Sequence, residues 1–172
     1  MQPNWPARDT RMKTTPRYNG ASAVAKSLQR YADRGVFRGL STSEAKNGRR
    51  EFRFLWLTCE PMHVTYDPVG SSLTFTHLFP NAVSVLGMAA GLKGVVTEHQ
   101  SARVPKHRRI DSKRARVRTA VRQGHLSLSV VVRGSHHAYA VQTALNLVNR
   151  LFLHLQGHFP EYLVQRFGFS EE

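Results

Sequence analysis

Residues 115–133 read ARVRTAVRQGHLSLSVVVR, and this stretch decides the fold. Ala115 to Arg122 and His125 to Arg133 each alternate apolar and polar residues with the period of a β-strand, and Gln123-Gly124 joins them as a two-residue turn. A loop that short fixes the register. Arg122 then faces His125, and the pairs further out are Val121 with Leu126, Thr119 with Leu128, and Val117 with Val130 on one face. The other face collects Ala120 with Ser127, Arg118 with Ser129, Arg116 with Val131, and Arg114 with Arg133. One side is apolar and the other polar and basic, so turn and hydrophobic pattern specify the same antiparallel hairpin, with one face on a core.

Downstream, Val141, Leu145, Val148, Phe152 and Leu155 make an apolar stripe at helical spacing, so a long helix is expected over His136 to Gln156, capped by Ser135 and ended by Gly157. It should lie across the inner face of the sheet. Pro160 opens a short last helix, with Tyr162, Leu163 and Phe167 as its apolar side and Gly168 beyond. Upstream, Ser101 to Arg114 is a basic loop containing Pro105. Asn81 to Gln100 has helical apolar content, but Gly87, Gly91 and Gly94 recur along one side. At about 1 kcal/mol each, these glycines imply either very close packing or a break.

Two further hairpins are expected. Val36 to Ser43 and Glu51 to Thr58 flank the Asn47-Gly48 turn signal, with Phe52, Phe54 and Trp56 as an aromatic core face. Met62, Val64 and Tyr66 alternate up to Asp67-Pro68-Val69-Gly70, after which Leu73 and Phe75 resume and Leu78, Phe79 and Pro80 close the run. Val24, Leu28 and Tyr31 mark a first helix over Ala21 to Arg34, stopped by Gly35.

The reading is a single α+β domain over residues 19–172 with an antiparallel sheet of about six strands. Its order is helix, four strands, helix, two strands, helix, helix, and the sheet packs on the long C-terminal helix. Residues 1–18, with Pro3, Pro6, Pro16 and four cations, read as a disordered basic arm without the apolar segment of a secretory signal. The element order is similar to that of type III secretion chaperones (helix, three strands, helix, two strands, helix), a likeness of order with no shared motif. Those chaperones are acidic and this chain is basic, so no family follows from the likeness.

The 172 residues suffice for one core, and the lone Cys59 excludes an intramolecular disulfide and favours a reducing compartment, the cytoplasm. Following an apolar strand, Cys59 is expected to be a small buried residue rather than a nucleophile. Ala82 to Val96, the longest apolar stretch, is interrupted by Ser84 and Lys93 and falls short of the roughly 20 residues of a membrane span. Lys and Arg number 25 against 11 acids, a net +14, and 19 of the 25 are arginines. An arginine fork grips phosphate or carboxylate with two hydrogen bonds, which a lysine does not.

The charge is concentrated. Arg103, Lys106, Arg108, Arg109, Lys113, Arg114, Arg116, Arg118 and Arg122 face a single acid, Asp111, within 20 residues. On the strand Arg114, Arg116, Arg118 and Arg122 project to one side at about 6 to 7 Å per two residues. A cationic stripe of this kind suits a nucleic-acid backbone, with Lys106 to Lys113 as a flexible clamp. The runner-up is an acidic protein partner, with the chain as a chaperone-like adaptor that homodimerises through the glycine-bearing helix. A solvated strand face is the bland account. No aromatic on that face offers base stacking, so backbone contact is the expected mode.

Other candidates are weaker. Gly91-Leu92-Lys93-Gly94 has the form of a KH-type backbone clamp but lacks the Ile-Gly that precedes one. His136 with His137, and His154 with His158, are candidate metal pairs with no Cys, Asp or Glu nearby to complete a shell. His107 with Asp111 amid arginines is the only arrangement suited to a metal-independent ribonuclease, the third functional reading. Asn146 and Asn149 interrupt an apolar helix and serve as a cross-helix bond, a pocket lining or a solvent edge. No cofactor-binding loop is present.

Overall fold

The computed structural model describes residues 16–169; the expected basic arm lies, up to residue 15, outside the described residues. The elements are α1 (Pro16–Asp33), β1 (Arg38–Glu44), β2 (Arg50–Leu55), β3 (Pro61–Asp67), β4 (Ser72–Phe79), α2 (Met88–Gln100), β5 (Ala115–Arg122), β6 (His125–Val132), α3 (His137–His158) and α4 (Pro160–Phe167). All strand pairs are antiparallel, and the sheet order is β1-β2-β3-β4-β6-β5. β6 is inserted between β4 and β5, which leaves β5 as an edge strand. The α+β architecture read from the sequence is the one observed.

The β5–β6 register agrees pair for pair with the expected one, from Arg122 opposite His125 to Arg116 opposite Val131. Gln123 (φ +51°) and Gly124 (φ +81°) both lie in the left-handed region, the conformation of a type I′ turn.

The same alternation runs across the sheet. Thr119, Leu128, Phe75, Val64 and Phe52 line up in one cross-strand row, and Val117, Val130, Leu73 and Tyr66 in the next. All of these but Thr119 are buried beneath the helices. Each buried Phe or Leu stabilises the fold by about 1.5–3 kcal/mol relative to exposure. The residues between them face the other way in rows such as Arg118, Ser129, Thr74, Thr65 and Glu51, and remain part-exposed or exposed. Helices thus cover one face, with α3 central, and among the described residues no helix covers the second, polar and ladder-like face.

Several boundaries differ from the expected ones. α1 starts at Pro16, five residues before Ala21, because proline suits a first helical turn. The 81–100 segment is broken rather than continuous. A single 3-10 turn, Ala82–Ser84, precedes Gly87, which at φ +76° is the residue from which α2 starts. Ser135 does not cap α3, whose first flanking residue is His136 without a side-chain cap. Gly157 does not end α3. Pro160 does, because the residue before a proline is driven out of helical geometry, and Phe159 sits at φ −138°. In β4 a register shift between Phe75 and Phe79, with His77 at φ +50°, turns both Leu78 and Phe79 inward where strict alternation would expose one. Trp56 lies just past β2 and is only half-buried.

Candidate nucleic-acid interface

The basic segment 101–114 leaves α2 and returns at the β5 edge, and its own backbone holds it in place. Pro105 O accepts the Arg108 and Arg109 amides at 2.8 and 3.0 Å, making a tight turn. The Arg109 guanidinium folds back onto the Val104 carbonyl (3.3 and 3.2 Å) and the Ala102 carbonyl (3.4 Å). Ile110 is buried and donates its amide to His99 O at 3.0 Å. Asp111 donates its amide to Tyr139 Oη of α3 at 2.8 Å. The segment expected to be a flexible clamp is therefore tied to α2 and α3, and it presents Arg103, Lys106 and Arg108 to solvent.

The nine expected cations divide. Arg116, Arg118 and Arg122 are exposed and share the open sheet face, opposite Val131, Ser129 and His125. Arg114 does not continue their row. It precedes the strand, its Nε lies 3.4 Å from Asp111, and its guanidinium sits 5.3 Å from the Tyr139 ring centroid. Arg109 is spent on loop carbonyls. Lys113 is exposed, its amide bonded to Asp111 Oδ1 at 2.9 Å.

Arg103, Arg108 and Arg109 instead border a groove of about 730 Å³ between the loop and α3, on the helical side of the sheet. Sequence reasoning did not join α3 to this surface. Gln142, Asn146, Asn149 and Arg150 of α3 form its opposite wall, and Glu98 is the one carboxylate among the described residues that line it. The polar interruption by Asn146 and Asn149 was the available signal, and both residues line the groove and are exposed, so the pocket-lining and solvent-edge readings hold together. On the open face, Arg53 of β2 and His63 of β3 are adjacent and exposed, extending the polar surface inward from the Arg118 edge.

The other candidates come apart. Asp111 gives one carboxylate oxygen to Lys113 N–H and the other to Arg114, and among the described residues no hydrogen bond joins it to His107. Gly91-Leu92-Lys93-Gly94 lies inside α2, not in a loop, so it has no clamp geometry. A Cβ on Gly91 would meet His154 Nε2 at 3.0 Å, whereas one on Gly94 would meet nothing within 4 Å. Gly91 thus packs against His154 of α3, while Gly94 is exposed.

His154 and His158 stack with centroids 4.2 Å apart, and His158 Nδ1 lies 3.1 Å from His154 O. Burial, then the neighbouring His158, holds the His154 pKa below the ordinary histidine value. His137 is partnered elsewhere, with Nε2 3.1 Å from Tyr66 Oη. Among the described residues no group of three His, Cys, Asp or Glu gathers into a metal site. Cys59 is exposed, not buried, and its thiol lies 3.2 Å from the Phe167 carbonyl. It follows the end of β2, where the sheet no longer covers it.

No described helix is long and apolar enough to cross a membrane. No protein-family model, curated protein or solved structure matches the chain.

Proposed function

We propose that this protein is a non-enzymatic, charge-driven nucleic-acid-binding module that engages the phosphate backbone of a strand such as RNA. One observation carries this reading. Arg103, Lys106, Arg108, Lys113, Arg116, Arg118 and Arg122 are all exposed, and none forms an ion pair among the described residues. Among the described residues the ion pairs engage Arg49, Arg50, Arg114 and Arg166. Uncompensated arginines along one edge release counterions when phosphates replace water around them, and that gain is independent of sequence. A strand crossing the β5 edge meets the loop cations on the helical side and the Arg116, Arg118 and Arg122 row on the open side. The single cysteine fits a reducing compartment such as the cytoplasm.

The test is fluorescence anisotropy with labelled single-stranded RNA, single-stranded DNA and duplex DNA at two salt concentrations. Binding that weakens steeply with salt, and weakens again on Arg116→Ser/Arg118→Ser/Arg122→Ser, supports the reading; no binding at low salt to any of the three sinks it.

The second reading, an adaptor for an acidic protein segment, draws on β5 being an edge strand. Among the described residues no strand pairs with its outer side, so it can take an added strand whose carboxylates would meet Arg116 and Arg118. The same arginines also blunt that edge against uncontrolled pairing, which is their bland role.

A further inference from the structure

We infer that the groove between the 101–110 loop and α3 is a nucleotide subsite that reads a base edge as well as a phosphate. The inference rests on the nucleic-acid reading and goes further than backbone contact.

Gln142, Asn146 and Asn149 stand at i, i+4 and i+7 on α3, so they form one row on the side away from the apolar stripe of Val141, Leu145, Val148 and Phe152. All three are exposed, line the groove and have no hydrogen-bond partner among the described residues. Each carboxamide carries two donor hydrogens and an acceptor oxygen, which is the pattern that matches the edge of a base, adenine N6 and N7 above all. A carboxamide can also donate to a phosphate oxygen, but only a base edge uses its donor and its acceptor together.

The cations stand around that row. Arg103 and Arg108 come from the loop and Arg150 from α3, all exposed, with Glu98 as the single opposing carboxylate among the described lining residues. Their forks suit a phosphate, and a guanidinium plane also stacks on a splayed base. Leu147 is buried beneath the row, and Val104 and Leu153 give the groove apolar patches against which a ring can lie. The walls are set before any ligand arrives, because Arg109 is bonded to loop carbonyls and Tyr139 Oη takes the Asp111 amide. Tyr139 keeps its own O–H hydrogen to donate. The volume of about 730 Å³ lies within the range of roughly 300–1,000 Å³ typical of small-molecule sites.

The experiment compares the wild-type chain with Gln142→Ala/Asn146→Ala/Asn149→Ala, whose surface substitutions favour the helix. Anisotropy is read with labelled 12-mers of rA, rC, rU and an abasic strand of equal charge, and AMP and UMP are titrated calorimetrically as free nucleotides. The expected result is binding of at least one base-bearing strand about tenfold or more tighter than the abasic strand. The variant should lose that preference while its salt dependence is unchanged. Mononucleotide binding abolished by the same substitutions supports the groove even where no strand binds, and then it is the polymer reading that fails. Equal affinity for all strands, unaltered in the variant, overturns the inference and leaves backbone binding standing. Poly-glutamate binding as tightly, and weakening as much in the variant, overturns it in favour of an acidic peptide. No binding of strand or nucleotide overturns both.

Discussion

Asp111 donates its backbone amide to Tyr139 Oη at 2.8 Å, and that single bond ties the arginine-rich loop to the central helix. Tyr139→Phe keeps the ring beneath Arg114 but leaves the amide without its partner. A loss of about 0.5–1.5 kcal/mol is expected in urea unfolding, together with weaker oligonucleotide binding than that of the wild type at equal salt. Unchanged binding in a destabilised variant would show that the tie serves stability alone.

Two glycines of the helical layer should respond in opposite senses to alanine. A Cβ on Gly20 collides with Tyr66 Oη and with His137 Nε2, the pair that bond each other at 3.1 Å. Gly20→Ala is expected to cost about 1–3 kcal/mol as overpacking. Gly94 sits in α2 with nothing within 4 Å of its Cβ position, so Gly94→Ala should stabilise by about 0.5–1 kcal/mol. Thermal melts of the two variants read both signs at once.

The pH dependence of stability should carry a contribution from His154. Its pKa in the folded chain is held down by burial and by His158, so the unfolded chain takes up the proton first as pH falls. The stability associated with the neutral ring is present above the ordinary histidine pKa of 6.5 and is lost as pH drops from there through the lower folded value. His154→Gln should flatten the difference between unfolding curves at pH 8 and pH 5.5, and an unflattened difference assigns the acid sensitivity to other groups.

The loop and strand cations sit on opposite sides of one edge and share no ion pair, so their salt effects should add. Arg103→Ser/Arg108→Ser and Arg116→Ser/Arg118→Ser are each expected to reduce the slope of log affinity against log salt by about 1.4–1.8, and the fourfold variant by the sum. If either double variant leaves the slope unchanged, that side does not touch the strand.

Local physics explains what could be read in advance. The β5–β6 register follows from a two-residue turn and a period of two, both contained within 19 residues, and the core faces of β2, β3 and α3 follow from alternation or helical spacing. The breaks were less legible. Gly87 and Pro160 both carried local signals, but each stood beside a competing one, the glycine stripe and Gly157, and the local pattern did not rank them. The bulge at His77 had no local signature.

By itself, then, the sequence determined the class of fold, the facing of nearly every strand and the concentration of charge in residues 103–122, because each depends on residues within a turn or two of one another. Only the tertiary structure decided the order of strands, with β6 between β4 and β5, and the division of that charge between two faces. Strand alternation sends Arg116 and Arg118 to the open side, while Tyr139 draws Arg114 and Asp111 to the helical side. The carboxamide row of α3 meets the loop for the same reason. Residues more than 30 positions apart are joined by packing on a shared sheet, which no local periodicity encodes.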